Sequence, residues 1–132
     1  MIVIDSSAIV AILFSEVEAQ RFAELIEADG EARLSAANFL EISNVVESRH
    51  GLSGRLILDG AIAHFRAAGL LVVAFDEIQA ELAREGFRRY GKGRHPAGLN
   101  FGDCFAYALA KALDAPLLYK GTDFGKTDIR IG

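Results

Sequence analysis

A single cysteine among 132 residues excludes an internal disulfide, and a lone Cys104 fits a reducing compartment. Long hydrophobic runs are missing as well, since nothing approaches the ~20 apolar residues of a membrane span. The opening "MIVIDSS" has no basic stretch and sets an acid at position 5, so no signal peptide is expected. The expected location is the cytoplasm, with no membrane partner. No repeat, low-complexity tract or linker divides the chain. Basic residues are in deficit: 14 Lys and Arg stand against 18 Asp and Glu, a formal net charge of -4. That excludes a uniformly basic nucleic-acid coat protein but leaves room for a local basic patch. What is present is an ordinary globule, 52% hydrophobic and 24% charged, with the length of one domain spanning residues 1–132.

Short β-rich runs alternate with helical stretches. Strands are expected at 2–4, 33–36, 70–75, 116–119 and 129–131. Helices are expected at 7–14, 16–29, 37–50, 55–68, 76–90 and 101–113, with Gly30, Gly51 and Gly69 at C-terminal caps. Such alternation predicts an α/β fold with a parallel sheet covered on both faces. The last helix, "FGDCFAYALAKAL", is apolar nearly all round and should be buried.

Right-handed crossovers start each following helix at the carboxyl edge of a parallel sheet, which is where open α/β sheets carry their ligand crevice. Asp5 ends the first strand, and Glu41 lies in the first turns of the helix after the second. Asp103 opens the helix that feeds the fourth strand, and Asp123 follows that strand by a few residues. Each has an ordinary local role open to it. Asp5 can cap a helix, Glu41 can sit in solvent near a helix start, Asp103 can close a capping box with Asn100, and Asp123 can shape a turn. Asp76 in "FDEIQAEL" also follows a strand and is read as a plain N-cap.

Together the four acids point further. Two unit charges ~4 Å apart repel by ~1 kcal/mol in water and ~4 kcal/mol at a surface-like dielectric. Four converging carboxylates therefore call for protonation or a cation. Oxygen ligands without Cys or His suit Mg²⁺, with Mn²⁺ able to substitute, and such ions recruit phosphate oxygens. The chemistry implied is metal-assisted phosphodiester hydrolysis.

Other motifs fall away. "GTDFGKT" (121–127) has three residues, not four, between its first Gly and Gly-Lys-Thr, and no room for a following helix, so it is not a P-loop. "GKGRHPAG" (91–98) follows a helix rather than a strand, and "GLSGR" lacks the second Gly of a nucleophile elbow, leaving Ser53 as a helix cap. Cys104 reads as a buried thiol, and His50 and His64 lack paired ligand spacing. The segment 84–95 carries Arg84, Arg88, Arg89, Lys92 and Arg94 against Glu85. It is either a solvated helix end or an RNA-backbone rail leading to Asp103, with Phe87 and Tyr90 as stacking surfaces.

Four stretches resemble the PIN-domain ribonucleases, and most closely the VapC-type toxins of toxin–antitoxin pairs. They are "MIVIDSSAIVAIL", "AANFLEISNVV", "LNFGDCFAYALAK" and "LLYKGTDFGKTDI", in the family's order and across essentially the whole chain. The resemblance implies a three-layer α/β/α fold around a mostly parallel five-stranded sheet ordered 3-2-1-4-5. It also implies that Asp5, Glu41, Asp103 and Asp123 hold the metal and its activated water, while Ser7 and Thr122 orient Asp5 and Asp123. A ribonuclease toxin role, a homodimer and a small VapB-like antitoxin that blocks the acidic site with a basic side chain follow from the same likeness. The helices at 37–50 and 55–68, with Phe39, Ile42, Val46, Leu56 and Ile57, are the expected docking face for that partner. A catalytically silent domain that only binds RNA or protein, and a small-substrate phosphatase, are the alternative readings. Retention of all four acids disfavours the first, and the absence of an Asp-x-Asp pair the second.

Overall fold

The computed structural model describes residues 1–132. Four parallel strands form one sheet: β1 (Ile2–Ile4), β2 (Ala32–Ser35), β3 (Leu71–Val73) and β4 (Leu117–Leu118), in the order β3-β2-β1-β4. Val3 stands opposite Arg33 on one side and Leu117 on the other, so β1 is the centre from which the chain departs in both directions. This is the topological switch point of the sheet.

Six helices cover it: α1 (Ser6–Leu13), α2 (Ala19–Asp29), α3 (Ala36–His50), α4 (Leu52–Ala67), α5 (Glu77–Tyr90) and α6 (Phe101–Leu113). The strand pleat sorts the core into two halves. Ile2, Ile4 and Leu34 pack with Ile9, Phe22, Ile42, Leu58 and Phe65 from α1 to α4. Val3 and Leu117 pack with Ala83, Tyr107 and Leu109 from α5 and α6. The result is the expected three-layer α/β/α sandwich. Helix α6 is buried through its middle, from Ala106 to Ala110, while Phe101 at its start and the last turn, residues 111–113, are exposed.

The departures from expectation are local. The fifth strand is reduced to a single bridge between Leu117 and Ile131, held by Leu117 N–H to Arg130 O at 2.9 Å and Gly132 N–H to Leu117 O at 2.8 Å. Strand β4 is too short to template more: Pro116 has no N–H to donate, and the chain bends away after Leu118. Helix α2 begins at Ala19 rather than 16, because residues 16–18 form a separate turn closed by Ala19 N–H to Glu16 O at 2.9 Å. Helix α4 begins three residues early. Gly51, at φ 61°, alone links it to α3, a conformation that favours glycine. Ser53 does not cap the start of α4; its hydroxyl donates to His50 O at 2.7 Å and closes the end of α3. Of the expected docking residues, Ile42 and Val46 belong to the core and Phe39 packs against it, whereas Leu56 and Ile57 are exposed. No helix is long and apolar enough to cross a membrane.

Candidate active site

Asp5 leaves the end of β1 and caps α1. Its N–H donates to Leu118 O at 2.9 Å, and its Oδ2 accepts the Ser7 N–H at 3.0 Å. The residue is only 4% exposed. Burial pushes its carboxyl up to about 7, against the Ser7 hydroxyl and N–H, which favour the charge. Asp103 and Glu41 raise it further by repulsion. Ser7 thus holds the Asp5 carboxylate. Its Oγ also accepts the Lys120 N–H at 2.9 Å, tying α1 to the loop that carries Asp123.

Glu41 lies on α3, which Ser35 starts by accepting the Ala37 N–H at 3.3 Å. Its Oε1 accepts from the Ser6 hydroxyl and from Asn38 Nδ2, the latter at 3.2 Å. Asn38 is fully buried, and its Nδ2 also donates to Gly102 O at 3.0 Å. A Cβ at Gly102 would fall 1.9 Å from Glu41 Oε2. The carboxylate is therefore clamped between α1, α3 and the first turn of α6. Sequence reading missed Ser6, Asn38 and Gly102. A small residue just before Asp103 and a polar one a helical turn before Glu41 were the available signals.

Asp103 closes a complete capping box. Asn100 N–H donates to its Oδ2 at 3.0 Å, and its own N–H donates to Asn100 Oδ1 at 2.9 Å. The other oxygen, Oδ1, makes no hydrogen bond within the protein. Partial burial raises the group, with Asp123 and Glu41 adding repulsion. Asp123 is exposed at the head of a single 3-10 turn, Phe124–Lys126, which Phe124 anchors against Tyr119 with ring centroids 5.1 Å apart. Thr122 makes no hydrogen bond to Asp123. Thr127 fixes this turn instead, its hydroxyl donating to Phe124 O at 2.7 Å.

The four acids thus feel one another at one edge of the sheet, yet none has a basic partner. Other acids do: Glu16 pairs with Lys120, Glu47 with Arg55, Glu85 with Arg88 and Asp128 with Lys111. No three Asp, Glu, His or Cys side chains stand close enough to form a ready coordination shell. In donor chemistry, all carboxylate oxygen, the residues fit a hard divalent cation. Asp76, by contrast, is the helix cap expected of it, accepting the Gln79 N–H at 2.9 Å.

The basic segment is less free than its sequence suggested. Arg84 pairs with Glu81, Arg88 with Glu85, and Arg89 with Asp128 at 3.6 Å. Lys92 and Arg94 have no acid partner. Tyr90 is buried between His95 and Tyr107 and offers no stacking face, while Phe87 is partly open beneath Arg94. Burial raises the Cys104 thiol to about 11, which removes it as a nucleophile.

The "PIN domain" family model matches residues 2–130. Ribonuclease VapC30 of Mycobacterium tuberculosis is 50% identical over 127 residues, 96% of this chain and 95% of the relative. Ribonuclease VapC of Mycolicibacterium smegmatis is 48% identical over 96% of each. Among solved structures, the sarcin-ricin loop cleaving toxin VapC20 of M. tuberculosis shares the fold with a TM-score of 0.74 at 16% identity, over 98% of this chain and 96% of that one. VapBC2 from Rickettsia felis, bound to a promoter DNA fragment, gives 0.75 at 16% identity over 99% and 96%. The chain belongs to the PIN-domain family, in its VapC ribonuclease branch.

Proposed function

We propose that the chain is a Mg²⁺-dependent endoribonuclease acting as the toxin of a toxin–antitoxin pair. One observation carries the reading: four carboxylates at one sheet edge have no cation partner, and one of them, Asp5, is buried. Relatives half identical over nearly their full length, and named ribonucleases, supply the reaction class. Asp5, Glu41, Asp103 and Asp123 would hold the ion, which supplies positive charge against the phosphodiester and lowers the pKa of the attacking water. The capping box engages only Oδ2 of Asp103 and leaves Oδ1 to face a ligand. Ser6 and Asn38 fix the rotamer of Glu41, so that carboxylate need not be ordered when the ion binds. A carboxylate of the set takes the proton of the attacking water as it approaches phosphorus in line. Mn²⁺ fits the same oxygen donors.

Lys92 and Arg94 are the basic residues best placed to meet the RNA backbone, since neither has an acid partner. A VapB-like antitoxin would cover the acidic site with an Arg or Lys through charge-assisted hydrogen bonds, and the chain would work as a homodimer. The deciding experiment incubates purified protein with total RNA, in Mg²⁺ or chelator, and maps the new ends. Cleavage should appear only with metal. Asp103→Asn should abolish it, while Asp76→Asn should retain it. A folded Asp103→Asn protein that still cuts would remove the proposed site. Metal-independent RNA binding without new ends would favour the silent binding domain.

A further inference from the structure

We propose that the cleft between α5 and α6 is a nucleobase subsite, which seats one unstacked base of the RNA beside the carboxylate edge; this rests on the ribonuclease reading. The cleft has a volume of about 790 Å³, and Phe75, Phe87, Phe101 and Phe105 line it together with Arg88 and Arg94. Its aromatic wall is continuous. Phe101 meets Phe105 edge to face at 4.8 Å, and Phe105 meets Phe75 in the same way at 4.8 Å. Edge-to-face contacts leave ring faces open, and Phe101 is 80% exposed. An aromatic side chain that exposed contributes little to the core, whereas a base stacked on it gains contact whatever its identity.

Charge distinguishes a nucleotide from a plain apolar occupant. Arg84 and Arg88 lie at the rim but are neutralised by Glu81 and Glu85. Arg94 is not. It stands over the Phe87 ring, 5.5 Å from its centre, with no acid partner, so a cation free to meet a phosphate shares the cleft with the exposed Phe101 ring on which a base can stack. The cleft also leads to the acids. Phe101 and Phe105 line a second, adjoining hollow of about 370 Å³ that contains Glu41 and Gly102. Phe101 and Phe105 are two residues to either side of Asp103, about 3 Å along the helix axis. A base in the cleft therefore has its backbone leaving past Arg94 at one end and toward the carboxylates at the other.

The test measures binding without chemistry. An end-labelled, mixed-sequence hexaribonucleotide is titrated into the Asp103→Asn protein in chelator, and anisotropy is compared with the same background carrying Phe101→Ala or Arg94→Gln. Both positions are exposed, so both variants should fold. Phe101→Ala should weaken binding about 5- to 150-fold, the range for loss of one stacked base. Arg94→Gln should lower the slope of log affinity against log salt by about 0.7. Unchanged affinity in both variants overturns the subsite while leaving the ribonuclease reading in place. Phe101-dependent binding by a protein that never cleaves RNA would retain the subsite and discard that reading. If Phe101→Ala instead converts a dimer to a monomer by light scattering with oligonucleotide affinity unchanged, the face joins two copies of the chain and the proposal falls.

Discussion

Gly102 lacks a side chain where Glu41 needs the space. The steric demand would be minor if Glu41 could swing aside, but Ser6 and Asn38 hold it from the other side. Moving it breaks two hydrogen bonds, each contributing about 0.5–1.5 kcal/mol. Gly102→Ala also gains up to about 1 kcal/mol of helix propensity, so the fold should survive. The expected result is a protein with wild-type circular dichroism whose Mn²⁺ affinity by calorimetry falls at least tenfold. Asp5 makes a complementary point about charge. Its carboxyl is raised from 3.8 to about 7 by burial, so folding favours its protonated form. That stabilisation is full below pH 3.8 and is lost as pH rises toward about 7. In chelator, urea unfolding of the wild type should weaken from pH 4 to 7.5 relative to Asp5→Asn. The variant should be the more stable protein at pH 7.5 and inactive on RNA. An Asp5→Asn protein no more stable than wild type at that pH would mean the buried charge is compensated by something besides a cation.

At the scale of an element, α4 carries an apolar stripe that nothing in the chain covers. Leu58, Ile62 and Phe65 enter the core, while Leu52 and Leu56, one turn apart, are 75% and 70% exposed beside Ile57. An antitoxin helix that buries this stripe would gain about 25 cal/mol for each Å² of apolar surface covered. Leu52→Glu with Leu56→Glu should abolish co-purification with the antitoxin, with thermal stability and RNA cleavage near wild type. Persistent co-purification would move the docking face away from α4. The companion helix α3 contributes less than its sequence suggested, because Ile42 and Val46 are in the core.

At the scale of the molecule, one acid ties the C-terminal segment to the helix layer beside its short pairing with β4. Asp128 accepts from Tyr107 Oη at 2.9 Å and pairs with Lys111 at 2.9 Å and Arg89 at 3.6 Å, joining α5, α6 and the chain end. Burial and the bond to Asp128 both raise the Tyr107 hydroxyl, so Tyr107 stays a neutral donor. Asp128→Ala leaves that donor without a partner, which costs about 1–3 kcal/mol. The urea midpoint should fall accordingly, while cleavage below the transition stays close to wild type. Loss of cleavage without loss of stability would instead tie Asp128 to the Asp123 loop.

Much of this architecture was legible in local pattern. The six helices, a parallel sheet and the placing of Asp5, Asp103 and Asp123 at strand and helix ends follow from periodicity, caps and handed crossovers, whereas the central place of the first strand came from the family resemblance. The capping box of Asp103 was readable as Asn-x-x-Asp because its partners are three residues apart. What only the tertiary structure decided are contacts across long stretches of chain. Ser6 reaches Glu41 over 35 positions, and Asn38 reaches Gly102 over 64. Arg89 is drawn to Asp128, and the phenylalanines of α5 and α6 meet in one cleft. Hydrophobic periodicity tells which face of an element turns inward but not which residue of another element it meets. That choice belongs to the packing of two helix layers on one short sheet, where most polar groups carried inside find a partner.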